Sequence, residues 1–276
     1  MDAIRNFIKN VDLRTVVDNT EPFLTDEEFF REQMLHGFEK IVQLEDKYKD
    51  RPALVMGHGP SLLDIKKKKY QSHLKLTCND FHKVPNFFDD FTPDFWCAAN
   101  SYEVLNIPFK ICLDKNINTF VTIPRKCEFV DLLQIAKERD KMHLTHAWQW
   151  EHRVFQNMLA IKYGCQEVYT HCNTVTNHMV AFALWLGCNP IHVTGFDMSY
   201  TEALKKTGMS HAGFSDKAHA GFSDKEIQTE PFDFQQKKQL IKDLKYLCKI
   251  AYSYNIEIHN LSHVSNKLPY NLSFRL

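Results

Sequence analysis

The stretch Ala53–Ile65, "ALVMGHGPSLLDI", decides how the whole chain is read. Ala53, Leu54, Val55 and Met56 form a short, unbroken apolar run, the pattern of a strand buried on both faces. Gly57-His58-Gly59-Pro60-Ser61 interrupts it, and Leu62, Leu63 and Ile65 open a new apolar pattern. This is the grammar of a strand, a tight turn and a helix start. The two glycines permit positive φ and close backbone approach. Pro60 fits a first helical turn. Ser61 adds a hydroxyl where a helix N-terminus favours an anion. Neither common phosphate loop is present: Leu62 stands where G-x-G-x-x-G needs its third glycine, and no Lys is placed for a Walker A loop. The turn is therefore either a phosphate-type site of another kind or a strand–helix junction without a ligand. Lys66–Lys69 behind it read as a solvated helix end or as a patch that attracts an anionic substrate.

The same grammar recurs along the chain. "LKLTCND", "DFWCAAN", "TFVTI", "IHVTGFD" and "IEIHN" are short strand patterns. Residues 60–68, 126–140, 150–163, 174–187 and 232–254 carry helical spacing. Buried strands alternating with helices predict an α/β, Rossmann-like fold with a largely parallel sheet flanked by helices. Residues 1–51 read as an N-terminal helical extension, with a capping box at Thr25-Asp26-Glu27-Glu28. Asp50-Arg51-Pro52 is expected to end it, because the residue before proline disfavours the α region. Residues 52–276 form the main domain. Within it, about 199–231 lack helical or strand period and carry a short duplication, "HAGFSDKA" then "HAGFSDKE". A loop of this length is expected to be a lid or binding loop, or disordered.

Composition excludes several classes. Lys+Arg and Asp+Glu are both 34 in 276 residues, so the chain lacks the basic excess of a nucleic-acid binder. No apolar run has the length of a membrane span. The first residues lack the apolar core of a signal peptide, so a cytoplasmic protein is expected. The eight cysteines have no C-x-x-C spacing and sit mostly in apolar runs, which predicts buried free thiols. His143 and His146 lack an accompanying carboxylate motif, and no metal site is assigned.

In parallel α/β folds, ligands sit beyond the carboxyl ends of the strands. The unusual polar residues of this chain fall there. The first strand ends in Gly57, His58, Gly59 and Ser61; the second in Asn79 and Asp80; the third in Asn100 and Ser101; a later one in Gly195 and Asp197. The Asn and Asp residues suit a base or sugar, or simply an Asx turn. Asp197 suits a ribose, a metal, an acceptor hydroxyl or a helix cap. The helix at 174–187 opens on "NTVTNH", including Thr176 and Asn177, where free N–H groups are expected. His211 and His219 lie in the long loop, and a loop histidine near neutral pKa is a good general base.

Together, "VMGHGPSLLDI", "LKLTCNDF", "FWCAANS", "NTVTNHMVAFALWLGCNPIHVTGFDMSY" and "IEIHNLS" resemble the bacterial sialyltransferases of glycosyltransferase family 42. They also resemble the domain-of-unknown-function-115 group, which holds Maf flagellin glycosyltransferases and an archaeal pterin pyrophosphokinase. The resemblance covers roughly residues 52–262. It implies an inverting glycosyltransferase with a CMP-activated, sialic-acid-like donor and a glycan or glycoprotein acceptor, with no metal required. By the resemblance, Gly57, Gly59 and Ser61 face the donor phosphate and Asn79 and Asn100 bind the nucleotide. Thr176, Asn177 and His178 touch the donor, and Gly195 and Asp197 match the later strand end. His211 or His219 is the base. The chain departs from the sialyltransferases at His58, where they have Asn, and at Thr176-Asn177-His178, where they have Thr-Ser-Gly. The pterin branch implies the alternative, diphosphate transfer from ATP with Mg²⁺ on Asp80 and Asp197. A nucleotide-binding protein without catalysis is the third reading, and homo-oligomerisation is left open.

Overall fold

The computed structural model describes residues 39–79, 81–84, 91–98, 102–123, 142–146, 152–165, 175–197 and 230–262. Seven strands form one sheet: β1 (Ala53–Met56), β2 (Leu74–Cys78), β3 (Phe95–Ala98), β4 (Asn118–Ile123), β5 (Met142–His146), β6 (Ile191–Thr194) and β7 (Ile258–Asn260). Their order is β5-β4-β3-β2-β1-β6-β7. Every pairing is parallel, with Met56 opposite both Thr77 and Thr194. The expected α/β, Rossmann-like class is what the chain adopts. From β1 the chain steps outward through β2 to β5, then returns to the other side of β1 as β6. The order therefore reverses between β1 and β6, and a crevice opens beyond their carboxyl ends.

The α-helices are α1 (Tyr102–Asp114), α2 (His152–Lys162), α3 (Val175–Trp185) and α4 (Glu230–Ser253). α2, α3 and α4 fall where helical spacing placed them. α1 was not expected, since Pro108 lies inside it. β5, "MHLTH", was not expected either. The expected helix at 60–68 is instead two short 3₁₀ turns, Pro60–Asp64 and Lys67–Tyr70, separated by extended backbone at Ile65. The capping box at residues 25–28 and the helix candidate at 126–140 lie outside the described residues.

The unbroken apolar run of β1 has a simple cause: both of its faces are covered. Ala53 and Val55 join a core with α2, α3 and α4. Leu54 and Met56 join a second core with Trp96 and with Phe109 and Cys112 of α1. α3 is buried all round, from Thr176 to Trp185. Cys78, Cys97, Cys112, Cys188 and Cys248 are buried free thiols, as expected, and Cys165 is half-buried. Burial pushes the Cys188 and Cys248 thiols up to about 12, so they behave as small apolar groups. Among the described residues no helix is long and apolar enough to cross a membrane.

Among the described residues, α1, α2, α3 and α4 stop in the same way. At the end of α3, Cys188 N–H donates to Ala183 O and Gly187 N–H to Leu184 O, both at 3.0 Å. This is a Schellman closure, with Gly187 at φ +78° in the position that glycine tolerates. Asn116, Gly164 and Asn255 fill the same left-handed position after α1, α2 and α4.

The remaining carbonyls of α3 are met by a separate segment. The helix at residues 39–43 gives way to turns over 44–50, earlier than the proline at 52 implied. Tyr48 and Asp50 N–H groups donate to Leu186 O and Gly187 O. Trp185 O accepts from Asp46 N–H at 3.1 Å and from Lys162 Nζ at 2.7 Å. Lys162 also pairs with Asp46 at 2.7 Å. Tyr163 Oη donates to Leu184 O at 2.6 Å, and Trp185 Nε1 to Ile41 O at 2.7 Å.

Candidate active site at the sheet crevice

The glycine turn after β1 and the loop after β6 are bonded to each other. Gly57 N–H donates to Thr194 O at 2.8 Å, and Gly59 N–H to Gly195 O at 2.7 Å. Ser61 N–H donates to Asp197 Oδ2 at 3.0 Å. In return, Gly195 N–H donates to Ser61 Oγ at 3.1 Å, and Thr194 Oγ1 to Ser61 O at 3.4 Å. The sequence placed all of these residues at strand ends; the structure joins them into one unit.

The glycines serve this junction. Gly57 and Gly59 do not adopt positive φ. What they provide is proximity: a Cβ on Gly59 would sit 2.7 Å from Gly195 O, and one on Gly57 would sit 2.8 Å from Thr176 Oγ1. Gly195 needs both freedoms, with φ +65° and Gly57 pressed against it. The backbone that approaches so closely is therefore the protein's own.

This changes what the turn offers an anion. Gly57, Gly59, Ser61 and Leu62 all donate their N–H groups inside the protein. Pro60 has none. The helix that was to aim its N-terminus at a phosphate is a five-residue 3₁₀ turn, too short to sum a macrodipole. The helix start placed against the turn is that of α3, where Thr176, Asn177 and His178 are all buried. Thr176 lies against Gly57, and the His178 ring lies 5.6 Å from that of Phe155. No Lys or Arg occurs among the described residues at these strand ends.

His58 is also buried in the turn. Asn79 follows β2 with φ +40°, a conformation asparagine tolerates. Its N–H donates to Cys97 O at 3.1 Å, and its carbonyl accepts from Trp96 Nε1 at 2.8 Å. Asp80, Asn100, Ser101, His211 and His219 lie outside the described residues.

Sequence reasoning missed one support of this site. Phe196 N–H donates to Ser262 Oγ at 2.8 Å, and Ser262 N–H to Asn260 Oδ1 at 3.0 Å. Thus the end of β7 holds the backbone between Gly195 and Asp197. The polar end of "IEIHNLS" was the available signal.

A second polar cluster lies on the same strands, towards their amino ends. His192 on β6 stacks on His259 of β7, centroids 5.1 Å apart, and meets His73 edge-on at 5.1 Å. Tyr70 covers His73 and His192. His259 Nε2 lies 2.8 Å from Glu257 Oε2. Partial burial, then His73 and His259, push His192 down to about 4; a backbone hydrogen bond with Ala53 opposes them and Lys69 adds to them. Burial and the cations Lys75, Lys69 and Arg51 also lower His73. No group of three or more His, Cys, Asp or Glu among the described residues is arranged to hold a metal ion.

Comparison with known proteins fits this fold. Residues 31–203, more than half the chain, match the family model described as 6-hydroxymethylpterin diphosphokinase MptE-like. No curated protein matches. Among solved structures, the sialyltransferase CstII from Campylobacter jejuni, with the substrate analogue cytidine-5'-monophosphate, aligns with TM-score 0.50 and 17% identity. That alignment covers 81% of this chain and 84% of that one. The sialyltransferase CST-II in complex with a trisaccharide acceptor and CMP gives TM-score 0.50 and 16% identity, over 80% of this chain and 85% of that one. At such identities the likeness concerns the fold alone.

Proposed function

Since the chain belongs to the MptE-like family, on a fold shared with the sialyltransferase CstII, we propose that it is a glycosyltransferase using a nucleotide-activated sugar. The donor class is a CMP-linked, sialic-acid-like sugar, and the acceptor is a glycan or glycoprotein hydroxyl. One observation carries this reading. Most of the buried polar side chains described, including His58, Ser61, Thr176, Asn177, His178, Thr194, Asp197 and Ser262, gather at the crevice where the strand order reverses. Buried polar groups are costly unless they have partners. Their concentration at the ligand-binding end of the sheet supports a polar ligand such as a nucleotide.

In this reading the leaving phosphate sits at the start of α3, where Thr176 and Asn177 and the first-turn amides stabilise growing negative charge. His211 or His219 removes the proton from the acceptor hydroxyl as it attacks the anomeric carbon. The loop that carries them closes over the donor and limits hydrolysis. The chemistry requires no metal.

The family's description supports a second reading, ATP-dependent diphosphate transfer to a hydroxymethyl group. That reaction uses Mg²⁺ to neutralise the phosphates, and Asp197 with Asp80 would hold it. Asp197 fits in part, because Ser61 N–H already holds its Oδ2.

Thermal shift with CMP, CDP, ATP–Mg²⁺ and GTP–Mg²⁺ separates the readings. Stabilisation by CMP without metal is the expected result. A response to ATP–Mg²⁺ alone would replace the first reading by the second, and no response to any nucleotide would leave a protein without this site. For the base, His211→Ala or His219→Ala should lower turnover about 10²-fold or more.

A further inference from the structure

We propose that the histidine row at the amino ends of β6 and β7 is an acid-sensitive latch on the crevice. While His192 is neutral and stacked on His259, β7 holds the backbone before Asp197; charging the row releases it. The inference goes beyond the reading of the crevice as a nucleotide site and does not depend on which ligand the crevice takes.

Three parts of the chain build the row. His192 is paired with His259 in the register of β6 and β7, and their rings stack 5.1 Å apart at 26°. His73, just before β2, closes the other side at 5.1 Å, and Tyr70 covers both His73 and His192. The Nδ1 atoms of His73 and His192 are buried without a hydrogen-bond partner among the described residues. The charges around them are mostly cationic. Lys69 acts on both rings, and Lys75 and Arg51 act on His73. Glu257 has the opposite charge, but it lies on His259. A backbone hydrogen bond with Ala53 favours a charged His192; burial and the neighbouring histidines outweigh it. A charged His192 therefore gains by leaving the stack for water.

The element that can yield to it is β7. This strand is three residues long and stands at the end of the strand order. Ile191 N–H donates to Glu257 O and Leu261 N–H to Val193 O. A short edge strand opens at lower cost than the centre of a sheet. The crevice depends on the same strand. Asn260 Oδ1 accepts from Ser262 N–H, and Ser262 Oγ accepts from Phe196 N–H. A displacement at His259 thus reaches Ser262 within three residues, and the Phe196 amide loses its acceptor. Asp197, which holds the Ser61 amide, is the next residue. The direction is fixed by His192, held at about 4 against 6.5 ordinarily. The latch is closed above about pH 6.5 and opens as pH falls towards 4.

NMR titration of the full chain tests the latch through reciprocity. If charging His192 loosens the Ser262–Phe196 bond, then removing that bond makes His192 easier to charge. Ser262→Ala is expected to raise the titration midpoint of the His192 ring by about half a pH unit, about threefold in proton affinity. A Ser262 that only shapes the crevice would leave that midpoint where it is. Asn260→Ala keeps the hydroxyl but frees the Ser262 amide, and should shift the midpoint in the same direction even if Ser262→Ala fails to fold. In the wild type the Phe196 amide resonance should move together with the His192 ring, and His192→Gln should abolish that movement. The Gly57 amide, bonded to Thr194 O closer along β6 to His192, should not follow. An unchanged His192 midpoint in both variants would overturn the proposal. So would a Gly57 amide that moves as much as Phe196, or a Phe196 response that survives in His192→Gln.

Discussion

Ser61 and Asp197 are 136 residues apart in the chain and 3.0 Å apart in the fold, with the Ser61 amide donating to Asp197 Oδ2. The last residue of the glycine turn is thus bonded to a residue that follows β6. Neither half of the crevice has its shape without the other.

The first prediction concerns the glycines. Gly59→Ala places a methyl group against Asp197 and Gly195 O. Gly195 O is backbone, and the Asp197 carboxylate is held by Ser61 N–H, so the junction must open. The expected loss is about 2–4 kcal/mol, measured by urea denaturation, with the nucleotide response lost in the same variant. Gly195→Ala should cost at least as much, since it adds left-handed strain. A Gly59→Ala variant with unchanged stability would mean that the two loops are not in contact.

Ser61→Ala isolates one hydrogen bond. It leaves the Gly195 N–H, now bonded to Ser61 Oγ, buried without an acceptor. A cost of about 1–3 kcal/mol is expected. Ser61→Cys offers only a weak acceptor and should recover little of it. Equal stability of wild type and S61A would show that water replaces the hydroxyl.

The histidine stack predicts a pH dependence with a definite sign. His192 is pushed down to about 4 in the fold, against 6.5 ordinarily. Between those values the unfolded chain holds more protons than the folded one, so stability rises with pH. It is complete above about pH 6.5 and declines towards pH 4. Allowing for the partial exposure of the ring, the loss is about 1 kcal/mol. His192→Gln should flatten the fall in melting temperature between pH 7 and pH 4.5. A variant with the same slope as the wild type would assign the dependence to other groups.

Lys162 predicts an asymmetric pair of variants. Its ammonium is held by Leu184 O, Trp185 O and Asp46, and burial lowers its pKa against the pull of Asp46. Lys162→Met removes the charge but leaves the carbonyls short of a donor. Asp46→Asn keeps the ammonium and weakens its partner, which is half-exposed. K162M should cost about 1–3 kcal/mol and D46N less than 1 kcal/mol. Chemical denaturation ranks the two; the reverse order would mean that the ion pair, and not the carbonyl caps, holds Lys162.

Much of the sheet was legible, because strands covered on both faces leave apolar runs and end in polar residues. β1, β2, β3 and β6 follow that rule. β5 does not: "MHLTH" mixes polar and apolar residues and reads as a connection. α1 was hidden by Pro108, whose usual effect is to break a helix. The places of Gly57, Gly59, Ser61, Gly195 and Asp197 at strand ends were legible, while their partners were not. Two glycines announce that something comes close, but not that it is Gly195, since that contact spans the whole outward half of the sheet. What Ser262 holds was hidden for the same reason, although the polar end of "IEIHNLS" marked it. Its role depends on β7 lying beside β6, and strand order is not written in local spacing.

α3 faces two ways. Its first turn, with Thr176, Asn177 and His178, lines the crevice, and its last carbonyls are taken by residues 46, 48, 50, 162 and 163. Ile41, Val42 and Leu44 are buried in the same core as Trp185. A fragment begun at Pro52 would keep every residue of the crevice and still lose the anchor of the helix that lines it. For expression, crystallisation or transplantation, the smallest piece able to hold the site must start upstream of the glycine turn by more than a dozen residues.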